Sequence, residues 1–157
     1  MNINDNFVDK NHCDTINKVF LSNYFPWYYL KKQTNQGSSF LCHLFCKDNK
    51  PNSDFISLID PIVDKLKPKK ILNIRANLCL KRPTKCNWHW DDYTDDLSHK
   101  TAIYYVNTNN GFTEFKNKKV KSKKNRIVIF DANQKHRVVY QTDTDARMVI
   151  NFNYEYI

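Results

Sequence analysis

The residues best suited to chemistry are His89 and Asp91, which stand two positions apart in Asn87-Trp88-His89-Trp90-Asp91. In an extended segment both side chains leave the same face, so an imidazole and a carboxylate can grip one metal ion. The third ligand must come from elsewhere. His136 is preferred because it opens a strand candidate after the turn-forming stretch 131–135. His99 is the competitor, but it lies eight residues past Asp91 and no arginine follows it at a strand spacing. Two histidines and one carboxylate form a facial triad, the arrangement that leaves coordination positions open on Fe(II) for further ligands. Eleven residues beyond His136, at the start of the last strand candidate, stands Arg147. Its planar fork of donors suits the distal carboxylate of a small oxo-acid.

Elements must hold these groups. From Ile71 onward the apolar periodicity is two, and β-branched and aromatic residues fill short runs separated by turn formers. Strands are predicted at about 70–80, 100–108, 112–115, 118–121, 126–130, 136–141 and 146–156, with turns at Asn109-Asn110-Gly111, at Asn117 and over 131–135. Seven short strands plus a helix predict a mainly β jelly-roll. The helix signal runs from Ser53 to Leu66, where Phe55, Leu58, Ile59, Ile62, Val63 and Leu66 recur at helical steps. Pro61 implies a restart capped by Asp60. Earlier, Ile16, Val19 and Phe20 suit one helical face of a peripheral element, the aromatic run 25–30 suits a core edge, 33–39 reads as a loop and 40–45 as a strand. The 157 residues predict one domain, with 1–69 as supporting elements and 70–157 as the jelly-roll core.

The order helix, strand, His-x-Asp, several strands, lone His, then Arg resembles the Fe(II)- and 2-oxoglutarate-dependent oxygenase superfamily. The likeness is to its prolyl-4-hydroxylase-like branch and small phage-type members of it. It extends to Thr101-Ala-Ile-Tyr-Tyr-Val-Asn107 and the turn into Gly111-Phe-Thr-Glu-Phe115, and covers roughly 71–154. The resemblance implies a double-stranded β-helix with Fe(II) held by His89, Asp91 and His136, and the 2-oxoglutarate tail shared by Arg147 and Tyr105. It implies a dioxygenase that consumes O2, converts 2-oxoglutarate to succinate and CO2, and hydroxylates an unactivated C–H bond of a primary substrate. A peptide or protein side chain and a small molecule remain open as that substrate.

Asn73, Arg75, Asn77 and Cys79 share one strand face. Asn77 is the best of them to touch the co-substrate, against an equally weighted solvated face. Asn151 or Asn153 shares the face of Arg147. Trp88 and Trp90 either cover the site or pack in the core, with core packing at least as expected. Asp92, Asp95 and Asp96 read as a solvated acidic loop. The cysteines Cys13, Cys42, Cys46, Cys79 and Cys86 contain no CxxC pair and read as reduced thiols, with His43 between two of them lacking a ligand set for zinc.

The net charge is +9, and 116–126 reads KNKKVKSKKNR. That run suits a nucleic-acid backbone, which makes an oxidative nucleic-acid demethylase, or a basic binding barrel without catalysis, the alternatives. A solvated edge that discourages strand pairing is preferred to both, because no aromatics interleave with the lysines in sequence. No apolar run reaches membrane-spanning length and the first residues lack a signal-peptide pattern, so a soluble cytosolic protein, or one in the host cytoplasm if viral, is expected.

Overall fold

A computed structural model describes residues 1–31, 39–95 and 97–156 of the chain. In chain order its elements are β1 (Asn2–Asn4), α1 (Lys10–Phe20), β2 (Tyr28–Leu30), β3 (Phe40–Lys47), β4 (Lys50–Pro51), a 3-10 turn (Ile56–Leu58) and α2 (Asp60–Leu66). They continue as β5 (Lys70–Leu80), β6 (Lys100–Tyr105), β7 (Phe112–Phe115), β8 (Lys118–Lys121), β9 (Arg126–Asp131), β10 (His136–Val139) and β11 (Ala146–Glu155). Most of the loop expected over 33–39 lies outside the described residues.

The strands form two antiparallel sheets, a mainly β jelly-roll. The major sheet runs β1-β9-β6-β11-β5-β3-β2 with β4 on β3, and the minor sheet runs β10-β7-β8. Antiparallel pairing alternates side chains between faces, so each strand of the major sheet serves two environments. One face carries Ile74, Ala76, Leu78, Ala102, Tyr104, Met148, Ile150 and Phe152, packed on Ile16 and Phe20 of α1 and Ile62 and Leu66 of α2. The opposite face carries Ile103, Tyr105, Val128, Phe130 and Val149, which meet Phe115 and Val120 of the minor sheet. Polar residues of β5 and β11 share this second face, since Asn77 pairs with Val149, Arg75 with Asn151 and Cys79 with Arg147.

Local chemistry explains the helices. The Asp9 carboxylate accepts from the His12 N–H at 2.9 Å and caps α1. Far from being peripheral, α1 buries Cys13, Ile16 and Phe20. The segment 53–66 splits as Pro61 requires: the 3-10 turn comes first, and α2 begins at Asp60 with Pro61 in its first turn. Asp60 is itself in the helix, and the capping position is Ile59, which has no side-chain cap. The helix ends at Lys67 in the left-handed region, φ 48°.

β1 pairs with β9, and β3 pairs with β5 with an irregularity between Leu44 and Cys46, so strands from 1–69 complete the major sheet. β6 stops at Tyr105, short of the predicted 108. Its pairing continues through the side chain of Asn107, which donates to the Ala146 carbonyl at 2.8 Å and accepts from the Met148 N–H at 2.9 Å. Gly111 is required by close approach: a Cβ there would sit 2.9 Å from Asn109 Oδ1 and 3.0 Å from the Val139 carbonyl. Among the described residues no helix is long and apolar enough to cross a membrane.

Candidate active site

The segment 85–90 lies antiparallel beside β10, bridged at Lys85–Val139 and His89–His136. The two histidines exchange both backbone hydrogen bonds, His89 N–H to His136 O at 3.0 Å and His136 N–H to His89 O at 2.8 Å. Directly opposed residues project to the same side, which places the imidazoles together with ring centroids 4.6 Å apart. Asp91, two residues on, completes the group. One ligand atom from each of His89, Asp91 and His136 lies within 4.8 Å of the others.

Both rings are oriented for ligation. His89 Nδ1 lies 3.0 Å from the Asn87 carbonyl and His136 Nδ1 lies 3.1 Å from the Gln134 carbonyl. A carbonyl can only accept, so each Nδ1 carries a proton and Nε2 is the ring nitrogen left for a metal, which must displace the proton that a charged His89 holds there. The Thr101 hydroxyl shares its one proton between Asp91 Oδ2 at 3.2 Å and Asn153 Oδ1 at 2.9 Å, which ties the three side chains together. Phe115 and Phe130 wall the His136 ring at centroid distances of 5.8 and 5.0 Å.

Burial holds the His136 pKa below its ordinary value, and the positive charge of His89 adds to this against Asp91. For His89, burial acts downward but is outweighed by the Cys86 thiol, the Asn87 carbonyl and Asp91, which hold it up to about 9. Cys86 also accepts from the Val138 N–H at 3.0 Å. Its pKa is lowered although burial pushes it up, because His89 and that N–H outweigh the burial.

On the same inner face, Arg147 is only 1% exposed. Its Nε donates to the Ser122 hydroxyl at 3.0 Å and its Nη2 to the Thr113 hydroxyl at 3.1 Å. The Tyr105 hydroxyl donates to the same Thr113 oxygen at 2.7 Å, and the guanidinium lies 5.5 Å from the Tyr105 ring centre. Burial raises the Tyr105 pKa, Arg147 opposing it, so the phenol stays a neutral donor. Among the described residues no carboxylate forms an ion pair with Arg147. A buried guanidinium without a counter-charge is costly, and the chemistry of this donor set fits an anion such as the carboxylate tail of 2-oxoglutarate. The triad likewise fits Fe(II).

The comparisons bear on the fold. No protein-family profile matches the sequence, and no curated protein sequence does. Solved structures do. A prolyl hydroxylase from Trichoplax adhaerens, in complex with a hypoxia-inducible-factor oxygen degradation domain peptide, superposes at TM-score 0.71 with 12% identity, over 98% of this chain and 83% of that one. The fold is that of the Fe(II)/2-oxoglutarate oxygenases. The viral collagen prolyl hydroxylase of Paramecium bursaria Chlorella virus-1 shares this oxygenase fold at TM-score 0.64 and 16% identity, over 99% and 90% of the two chains. So does the α-ketoglutarate-dependent epimerase SnoN of nogalamycin biosynthesis, at TM-score 0.71 and 11% identity, over 97% and 76%.

Within the oxygenase fold the other expected residues sort as follows. Asn77 is buried on the inner face with its Oδ1 unpartnered, as are Asn73 Nδ2, Arg75 Nε and Asn151 Oδ1, so the polar side of β5 faces inward rather than into solvent. Asn153 is engaged with Thr101. Trp88 and Trp90 do not pack in the core: they are 39% and 42% exposed, on the outside of the ribbon that carries His89. His43 is a satisfied core histidine between the Pro26 carbonyl at 2.8 Å and the Ser53 hydroxyl at 2.6 Å. His99 is buried beside Thr94, 2.9 Å from its hydroxyl, and is not part of the metal cluster. Asp92 and Asp95 are exposed, and Asp96 lies outside the described residues. Thr113, Ser122, Thr101 and Cys86 escaped the sequence reading. Strand pairing and the packing of the minor sheet on the major one bring them to the site.

Proposed function

We propose that this protein is an Fe(II)- and 2-oxoglutarate-dependent dioxygenase that hydroxylates an unactivated C–H bond. The observation that carries the reading is the pairing of the His89–Asp91–His136 cluster with a buried, uncompensated Arg147 on the same inner face of an oxygenase fold. His89, Asp91 and His136 would hold iron. Arg147, with Tyr105 and Thr113 as neutral donors, would bind the co-substrate tail and set its orientation, with Asn77 beside it. The chemistry that iron and 2-oxoglutarate supply when bound is activation of O2 coupled to decarboxylation, with succinate and CO2 as products.

The chain's own residues do the positioning. Thr101 fixes Asp91, the Asn87 and Gln134 carbonyls fix the imidazoles, and Phe115 and Phe130 keep water from the His136 side. Asn73, Arg75 and Asn151 present unpartnered polar atoms on the inner face and are the groups available to a primary substrate. A peptide side chain or a small molecule fits the reading.

The test is anaerobic titration of the purified protein with Fe(II) and 2-oxoglutarate, followed by the weak visible charge-transfer band of the ternary complex. The band is expected to need both additions, to vanish in His136→Ala, and to require at least ~30-fold more 2-oxoglutarate in Arg147→Ala, as for truncation of one side of a buried charged contact. Absence of the band in folded wild-type protein would overturn the proposal. Because the fold also hosts an epimerase, product mass separates the outcomes: hydroxylation adds one oxygen to the primary substrate, and epimerisation leaves its mass unchanged.

A further inference from the structure

The minor sheet has an outside. Its inner face, with Thr113, Phe115, Val120 and His136, is buried against the major sheet. The register then dictates what its outer face carries. Arg137 pairs with Glu114, and Val139 with Phe112. Glu114 pairs with Lys119, and Phe112 with Lys121. The segment 85–90 runs beside β10, joined to it by two isolated bridges. Lys85 opposes Val139 on the outer side, and the His89–His136 bridge turns the flanking Trp88 and Trp90 outward, opposite the side taken by the imidazoles. The outer face thus gathers Lys85, Trp88, Trp90, Lys135, Arg137, Phe112, Lys119 and Lys121, with Glu114 the one carboxylate among them.

These residues are organised. The Arg137 guanidinium lies 4.3 Å from the Trp88 ring centre, the Lys135 ammonium 4.6 Å from that of Trp90 and the Lys119 ammonium 5.1 Å from that of Phe112. Beyond Lys85 the face continues into an open groove lined by Pro83, Thr84, Lys85, Val139, Tyr140 and Thr142. There Arg82 stacks over Tyr140 at 4.7 Å. The other half of the basic run is committed elsewhere, Lys123 and Arg126 to Asp5 and Lys124 to Asp14.

We propose that this outer face binds single-stranded nucleic acid. Glu114 pairs with Arg137 at 2.7 Å and with Lys119 at 3.9 Å, so five cations against this one carboxylate leave a net positive face that selects an anionic partner. The rings choose among anionic partners: every unpaired base offers a π-face to Trp88 and Trp90 while its phosphates meet the cations, which is how sheet faces hold single strands. A duplex buries its base faces, and an acidic peptide has no use for the tryptophans. Lys85 and His89 face Val139 and His136, three residues or about 10 Å apart along β10, and Trp90 lies one residue further, so the platform of about 13 Å is long enough for two or three bases. The exposed carboxylates of Asp92 and Asp95 follow Trp90 in the chain, so the bound strand is expected to leave toward β8 and the groove. The proposal does not depend on the metal chemistry of the inner face.

The test is fluorescence anisotropy of the full-length protein, without added metal, with labelled oligo-dT and oligo-rU of about 12 nucleotides, within the span that such single-strand modules cover. A duplex of mixed sequence and poly-glutamate serve as competitors. Single strands are expected to bind most tightly. Trp88→Ala with Trp90→Ala should weaken them about ten-fold or more, Trp88→Phe with Trp90→Phe should restore most of the loss, and thermal melts check that the variants fold. Lys119→Gln with Lys121→Gln should lower the slope of log K against log salt by about 1.4, reading the phosphate contacts independently of the rings. Poly-glutamate or duplex binding as well as the single strands would overturn the proposal, as would affinities indifferent to both tryptophans.

Discussion

Arg147 is the residue where structure and function make opposite demands. Its guanidinium is buried against the Tyr105 ring and donates to the Ser122 hydroxyl at 3.0 Å and the Thr113 hydroxyl at 3.1 Å. An uncompensated buried charge weakens a fold, and an apolar residue of similar volume is often neutral or stabilising there. Arg147→Met is therefore expected to melt at or above the wild-type temperature in the absence of 2-oxoglutarate. The same variant should require at least ~30-fold more 2-oxoglutarate. Thermal denaturation and titration on one sample check both, and a clear loss of stability would make Arg147 a structural residue. At this scale the triad was legible in sequence because His-x-Asp is a local pattern and His136 opens a strand. Thr113 and Thr101 were not, since a hydroxyl in a strand carries no signal until strand pairing sets its face and the packing of the minor sheet on the major one places it beside Arg147 or Asp91. The tryptophans also depended on register: His89 facing His136 forces Trp88 and Trp90 outward, where they bind cations instead of joining the core.

Between elements, the ion pairs of the basic run hold the N-terminal strand. Asp5 follows β1 and is held by Arg126, at 2.6 Å to Nε and 3.0 Å to Nη2, and by Lys123 at 2.7 Å. Hydrogen bonds from Arg126 and then Lys123 pull the Asp5 pKa well below the usual carboxylate range. The folded pKa is depressed, so the stabilisation is fully present above the unfolded value, about 4, and is lost as pH falls through the folded value. Solvent screening limits it to about 1 kcal/mol or less. Asp5→Asn should thus melt slightly below wild type at pH 7, and the gap should close as the melts are repeated in acid. A gap independent of pH would mean that the pairs do not tie β1 down. The strands from 70 onward were legible from two-residue periodicity, and their bounds shift by only a few residues. β1 and β2, three residues each, were not, because so short a segment has no periodicity of its own. Pairing with β9 and β3 defines them.

Across the whole molecule, the two faces of the major sheet separate stability from function. Phe20 stacks on Phe25 at 4.7 Å and meets Trp27 edge-on at 5.2 Å, in the cluster under α1, on the face away from His89, Asp91 and His136. Phe20→Ala is expected to cost about 3–5 kcal/mol, a large share of the roughly 5–15 kcal/mol that holds a domain of this kind. Urea unfolding should show it as a lower midpoint at unchanged slope. Ligand linkage supplies the complementary measurement. With Mn(II) standing in for iron and 2-oxoglutarate at 100 times Kd, binding to the folded state alone should add about 2.7 kcal/mol. Because Phe20 and the triad share no partners, the two effects should add. The ligand increment is expected to be the same in wild type and Phe20→Ala, and absent in His136→Ala. A smaller increment in Phe20→Ala would mean that the helical layer and the site are coupled through β5, β6 and β11, the strands that face both.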